Sequence, residues 1–76
     1  MRLSKFFFIR HKSVPSFLLE VEDGAKGEGT AVAVSESEVL GHESVDYQLW
    51  YFDRVSQTVH TKLNNFCLQM NGTVYK

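Results

Sequence analysis

One cysteine and one proline are all that 76 residues hold of either, and no apolar run approaches the roughly 20 residues of a membrane-spanning helix. With Cys67 alone, no internal disulfide framework can form. Arg10, His11 and Lys12 cut the apolar run Phe6-Phe7-Phe8-Ile9 to four residues, too short for the core of a signal peptide, so a cytoplasmic protein is favoured over a secreted one. Neither sign of charge is in excess: eight Lys and Arg stand against nine Asp and Glu, a net charge of -1. That balance gives no electrostatic footprint for nucleic acid or an anionic membrane, and neither partner is expected. His11, His42 and His60 lie far apart, and neither H-x-E nor C-x-x-C occurs. No metal, no cofactor and no enzymatic activity are expected. Helical periodicity is also missing, since no segment carries an apolar stripe of ten or more residues.

What the chain does hold is hydrophobic, 43%, and aromatic, 13%, which is too apolar for disorder. One domain over residues 1-76 is implied, and a chain this short buries only roughly 60% of the surface it exposes when unfolded. Apolar segments recur every 8 to 12 or so positions between turn signals, the pattern of an all-β sandwich or barrel. Strands are expected at Phe6 to Ile9, Phe17 to Val21, Thr30 to Ser35, within Val45 to Asp53, at Thr58 to Leu63, Phe66 to Met70 and Thr73 to Tyr75. Pro15 fixes the first turn, and the glycines of residues 23–29 form a loop rather than a phosphate cradle, because Asp23 and Glu28 would repel an anion. Asn71-Gly72-Thr73 has the form of a glycosylation sequon, but Asn-Gly is equally a tight-turn dipeptide and is read as the turn.

The most informative segment is Asp46-Tyr47-Gln48-Leu49-Trp50-Tyr51-Phe52-Asp53. On one strand, period two puts Gln48, Trp50 and Phe52 on the same face, and these three are the expected structural core. There is also an internal repeat: Phe17-Leu18-Leu19-Glu20-Val21 is answered, 49 residues on, by Phe66-Cys67-Leu68-Gln69-Met70. A Q-x-W motif followed in the next repeat by such a strand resembles the ricin B-chain type β-trefoil lectins. The resemblance covers about one and a half repeats, with repeat one at about 6-53 and half of repeat two at about 58-76. It implies a β-trefoil-like fold, incomplete in one chain, whose exposed edges would be completed by a homo-oligomer or by the remainder of a larger chain.

In that family an acidic residue, an Asn before Q-x-W and a stacking ring hold the sugar. Carried over by position, the carbohydrate-binding candidates are Glu20 at the acidic position, Tyr47 at the Asn position, His42 as the cyclic residue between Val34 and Val45, and Gln69 at the acidic position of the second repeat. Glu20 is one methylene longer than Asp, and Tyr47 lacks the amide. The expected function is thus a non-catalytic, lectin-like module binding a glycan through a degenerate site. The alternative is a structural or protein-interaction module of lectin-like fold that has lost sugar binding and assembles through its sheet edge.

Overall fold

A computed structural model describes residues 5–36 and 45–76. Among these residues there are six strands, β1 (Phe17–Val21), β2 (Thr30–Glu36), β3 (Trp50–Asp53), β4 (Thr58–Thr61), β5 (Cys67–Leu68) and β6 (Thr73–Tyr75). They form one antiparallel sheet in the order β1-β2-β6-β5-β4-β3. The only helical turns among the described residues are single 3-10 turns at Glu22–Gly24 and Asp46–Gln48. The all-β class expected from the spacing of apolar segments is the observed one. Nothing in the strand order requires the threefold repetition of a trefoil.

Local chemistry sets each hairpin. The β3–β4 turn closes because the Asp53 carbonyl accepts from Gln57 N at 2.7 Å and its Oδ1 from Val55 N at 2.9 Å, with Gln57 in the left-handed region. Between β5 and β6, Gly72 takes φ +83, which a side chain would resist, and its N–H donates to the Gln69 carbonyl. Asn71 Oδ1 accepts from both the N–H and the hydroxyl of Thr73, so Asn71-Gly72 is the turn that its dipeptide signalled.

The β5–β6 hairpin sits between the β1–β2 and β3–β4 hairpins, pairing with β4 on one side and β2 on the other. That leaves β1 and β3 at the two ends of the sheet. The N-terminal segment reaches both. Phe7 and Trp50 exchange two main-chain hydrogen bonds at 2.9 and 3.0 Å, while Leu19 N donates to the Ile9 carbonyl and His11 N to the Phe17 carbonyl, each at 2.9 Å. Residues 7–11 thus join the two ends of the sheet within one chain. The expectation of unpaired edges is corrected at these positions, because the segment read as the first strand has a partner on each side.

The core lies inside this closure. Val21, Trp50 and Val74 are fully buried, and Ile9, Leu19, Val32, Tyr47, Val59, Leu63, Phe66 and Leu68 pack against them. Phe52 does not join them. It is 49% exposed, although its position two residues from Trp50 puts it on the same nominal face. The reason is axial: Trp50 is paired to Phe7 and Thr61 where the sheet is closed, whereas Phe52 pairs with Val59 farther along the hairpin, beyond that closure. Gln48 also departs from expectation in form. It belongs to the 3-10 turn before β3 rather than to the strand, yet it is fully buried.

Candidate functional site

Two consecutive residues of β1 receive the Q-x-W motif. The Trp50 indole Nε1 donates to the Leu19 carbonyl at 3.0 Å, and the Gln48 amide Nε2 donates to Glu20 Oε1 at 3.1 Å and to the Glu36 carbonyl at 3.2 Å. Alternation along β1 makes this possible. Leu19 and Val21 pack in the cluster around Trp50, whereas Leu18 and Glu20 are buried on the opposite side of the strand, where Glu20 meets Gln48 of the Asp46–Gln48 turn that packs on β1. The Gln48 amide therefore fastens that turn to β1 through a side chain and to β2 through a main-chain carbonyl.

Glu20 is only 8% exposed. Its Oε1 accepts from Ser35 Oγ at 2.8 Å as well as from Gln48. A buried carboxyl is tolerated when its oxygen is hydrogen-bonded, and here both donors come from within the fold. Tyr47 is half-buried and packs on the core cluster, and its ring Cγ lies 3.8 Å from where a Cβ on Gly24 would sit. Gly24 has φ +64, which favours glycine on backbone grounds as well. Gln69 lies exposed at the end of the β5–β6 hairpin, its Nε2 donating to the Cys67 carbonyl at 3.5 Å. His42 is outside the described residues. The structure thus brings Glu20 and Gln48 into contact, places Tyr47 next to them as packing, and puts Gln69 on a different hairpin.

Sequence reasoning missed a second cluster, on the outer face. Phe6 meets Tyr51 edge-on at 5.7 Å, and Tyr51 stacks on His60 at 5.2 Å with 15° between the planes. The Lys62 ammonium lies 5.1 Å from the Phe6 ring centre, and the Arg10 guanidinium 5.8 Å from that of Phe8. Lys62 also pairs with Asp46 at 2.8 Å, tying the turn before β3 to the residue after β4. The pair is partly exposed and contributes at most about 1 kcal/mol. The polar tips of the stack are engaged. Tyr51 donates its hydroxyl to Asn65 Oδ1 at 3.0 Å, and His60 Nδ1 donates to the Asn65 carbonyl at 2.9 Å, which fixes the tautomer with hydrogen on Nδ1. Burial pushes the Tyr51 hydroxyl above its ordinary pKa, helped by the charge of Asp53, while the Val55 main-chain N–H holds the Asp53 carboxyl below its own. The available signal was the alternation Phe6, Phe8, Arg10, which places three side chains on one face of a strand.

Among the described residues no group of three or more His, Cys, Asp or Glu is placed to hold a metal ion, and no helix is long and apolar enough to cross a membrane. Comparison with known protein families, with curated proteins and with solved structures finds no match.

Proposed function

We propose that the chain is a non-catalytic, lectin-like carbohydrate-binding module whose galactose-type pocket is not kept. The observation that carries it is the pairing of Trp50 with Leu19 and of Gln48 with Glu20. Q-x-W and the strand 17–21 are the two segments on which the resemblance to ricin B-type repeats rests, and they are in direct contact here. The finer fold reading belongs to the same proposal, with 6–53 as one trefoil-like repeat and 58–76 as half of another.

The fate of Glu20 favours a changed site. In the family pattern the acidic side chain accepts from sugar hydroxyls, whereas here Ser35 and Gln48 donate to it inside the fold. The same fact supports a second reading, a lectin-fold module for protein interaction. Titration calorimetry with galactose and lactose, beside a broad glycan array, separates the two. The first reading expects galactose weaker than about millimolar, a binding free energy of roughly 4 kcal/mol, together with glycans of another class retained on the array. An array with no retained glycan leaves the second reading. Glu20→Ala is expected to lower the melting temperature without moving any glycan affinity. Micromolar galactose binding abolished in Glu20→Ala overturns both.

A further inference from the structure

We infer that the outer face of the N-terminal segment and the β3–β4 hairpin, carried by Phe6, Phe8, Arg10, Tyr51 and Lys62, is a binding surface for an acidic carbohydrate, one bearing sulfate or carboxylate groups. The inference rests on the carbohydrate-binding reading for the class of ligand, and assigns that ligand to a surface away from Glu20 and Tyr47.

The argument begins with exposure. Phe6 is 41% and Phe8 37% exposed, in a domain whose fully buried hydrophobic side chains number only four among the described residues. Grouped aromatic exposure of this kind marks an interaction surface more often than it marks nothing. Charge comes next. Each of the two rings has a cation within 6 Å of its centre, Lys62 for Phe6 and Arg10 for Phe8. Lys62 is shared with Asp46, but Arg10 donates to a neutral partner, the Pro15 carbonyl, and has no ion-pair partner among the described residues. Although the chain as a whole is slightly acidic, this face is cationic and aromatic together.

Three candidate occupants share those features, and geometry separates them. A nucleic-acid strand carries a phosphate at every base and calls for a row of free cations, whereas Lys62 is paired with Asp46 and leaves Arg10 as the cation of this face without an ion pair among the described residues. A lipid surface takes side chains that project into it, whereas the Phe6 ring is engaged edge-on with Tyr51. A charged sugar fits both parts, its anionic group meeting the guanidinium or ammonium while the C–H edges of the pyranose rest on the rings. A neutral sugar finds less. Its hydroxyls need free donors and acceptors, and the Tyr51 hydroxyl and the His60 ring nitrogens are engaged with Asn65 and Thr58.

The test is fluorescence anisotropy with a labelled heparin-type oligosaccharide, run at low and at moderate salt beside lactose, a thymidine oligonucleotide of matched charge and anionic phospholipid vesicles. The expected result is saturable binding of the sulfated oligosaccharide that weakens as salt rises. Phe8→Ala and Arg10→Gln are each expected to weaken it about two- to fivefold, since each removes a ring or a charge that the anionic sugar meets at an exposed site. Because Arg10 also supports the turn at Pro15, Arg10→Gln is scored only if its melting curve matches wild type, and otherwise Phe8→Ala carries the test on its own. Oligonucleotide or vesicles bound as tightly as the sulfated glycan overturn the inference in favour of those partners. Glycan binding unchanged in both variants, or confined to neutral sugars, overturns the surface assignment and leaves the carbohydrate reading standing. No binding to any glycan ends both.

Discussion

Trp50 and Leu19 belong to the outermost strands at opposite ends of the six-stranded sheet, and the Trp50 indole N–H nevertheless donates to the Leu19 carbonyl at 3.0 Å. Residues 7–11 make the remaining main-chain links across the same gap. One side chain therefore fills the core and also helps to close the sheet.

Removing it should affect both roles. Trp50→Ala empties a fully buried site and is expected to cost on the order of 3 to 5 kcal/mol, most of the stability of a domain this small. Trp50→Phe keeps an aromatic ring but leaves the Leu19 carbonyl without its donor, for about 1 to 3 kcal/mol on that account. Urea denaturation followed by circular dichroism distinguishes the two. A cooperatively folded Trp50→Ala protein of near wild-type stability would show that the indole is not the anchor.

Gln48 and Glu20 should behave as a unit. Each single alanine variant leaves the other side chain one hydrogen bond short, Glu20 with Ser35 and Gln48 with the Glu36 carbonyl, and the double variant removes both ends of the shared bond, so a double-mutant cycle is expected to give a coupling of about 0.5 to 3 kcal/mol. Additive losses would mean that the 3.1 Å contact carries no net energy.

Closure by residues 7–11 predicts what happens when it is undone. Phe7→Pro deletes the N–H that donates to the Trp50 carbonyl, exposing an edge that another chain can pair with. Melting of the wild-type chain is expected to be independent of concentration, and that of Phe7→Pro to depend on it. Light scattering is the companion measurement, and a stable wild-type oligomer would move attention from the sheet edge to the exposed faces.

The β3–β4 turn should lose stability in acid. Hydrogen bonding, chiefly from Val55 N–H, lowers the folded pKa of Asp53 below the ordinary carboxylate value of 3.8. A depressed carboxyl contributes stability above the unfolded pKa and loses it as pH falls through the folded one, so the loss falls below about pH 4. Asp53→Asn should remove this component of the acid limb. For Tyr51 the sign is opposite. Its folded pKa is raised above 10.0, so its contribution is complete below that value and fades as pH rises through the folded pKa, which an ultraviolet titration of tyrosinate follows.

Much of the strand layout was legible because it depends on neighbours in sequence. Thr58 to Leu63 alternates, Asn71-Gly72 dictates a tight turn and Pro15 ends the first segment, and in each case the observed element or turn lies within the expected stretch. Trp50 was legible as core for the same reason, as a large ring in an apolar strand. Phe52 was not, because burial is decided by how far along the sheet a pair sits, and residue parity carries no such information. Glu20 was read as a candidate for a ligand, and only the packing of the Asp46–Gln48 turn on β1 shows its carboxyl turned to Gln48 and Ser35.

By itself, then, the sequence determined an all-β chain, the turns at Pro15 and Asn71-Gly72 and a buried Trp50, because these follow from period-two patterning and from the backbone preferences of Pro, Gly and Asn. The tertiary structure alone decided that residues 7–11 bridge β1 and β3, and that Lys62 lies by Phe6. Those relationships are long-range or cross-face, fixed by closure of the sheet rather than by any local preference, and no window along the chain contains both partners of the contact between Lys62 and Phe6.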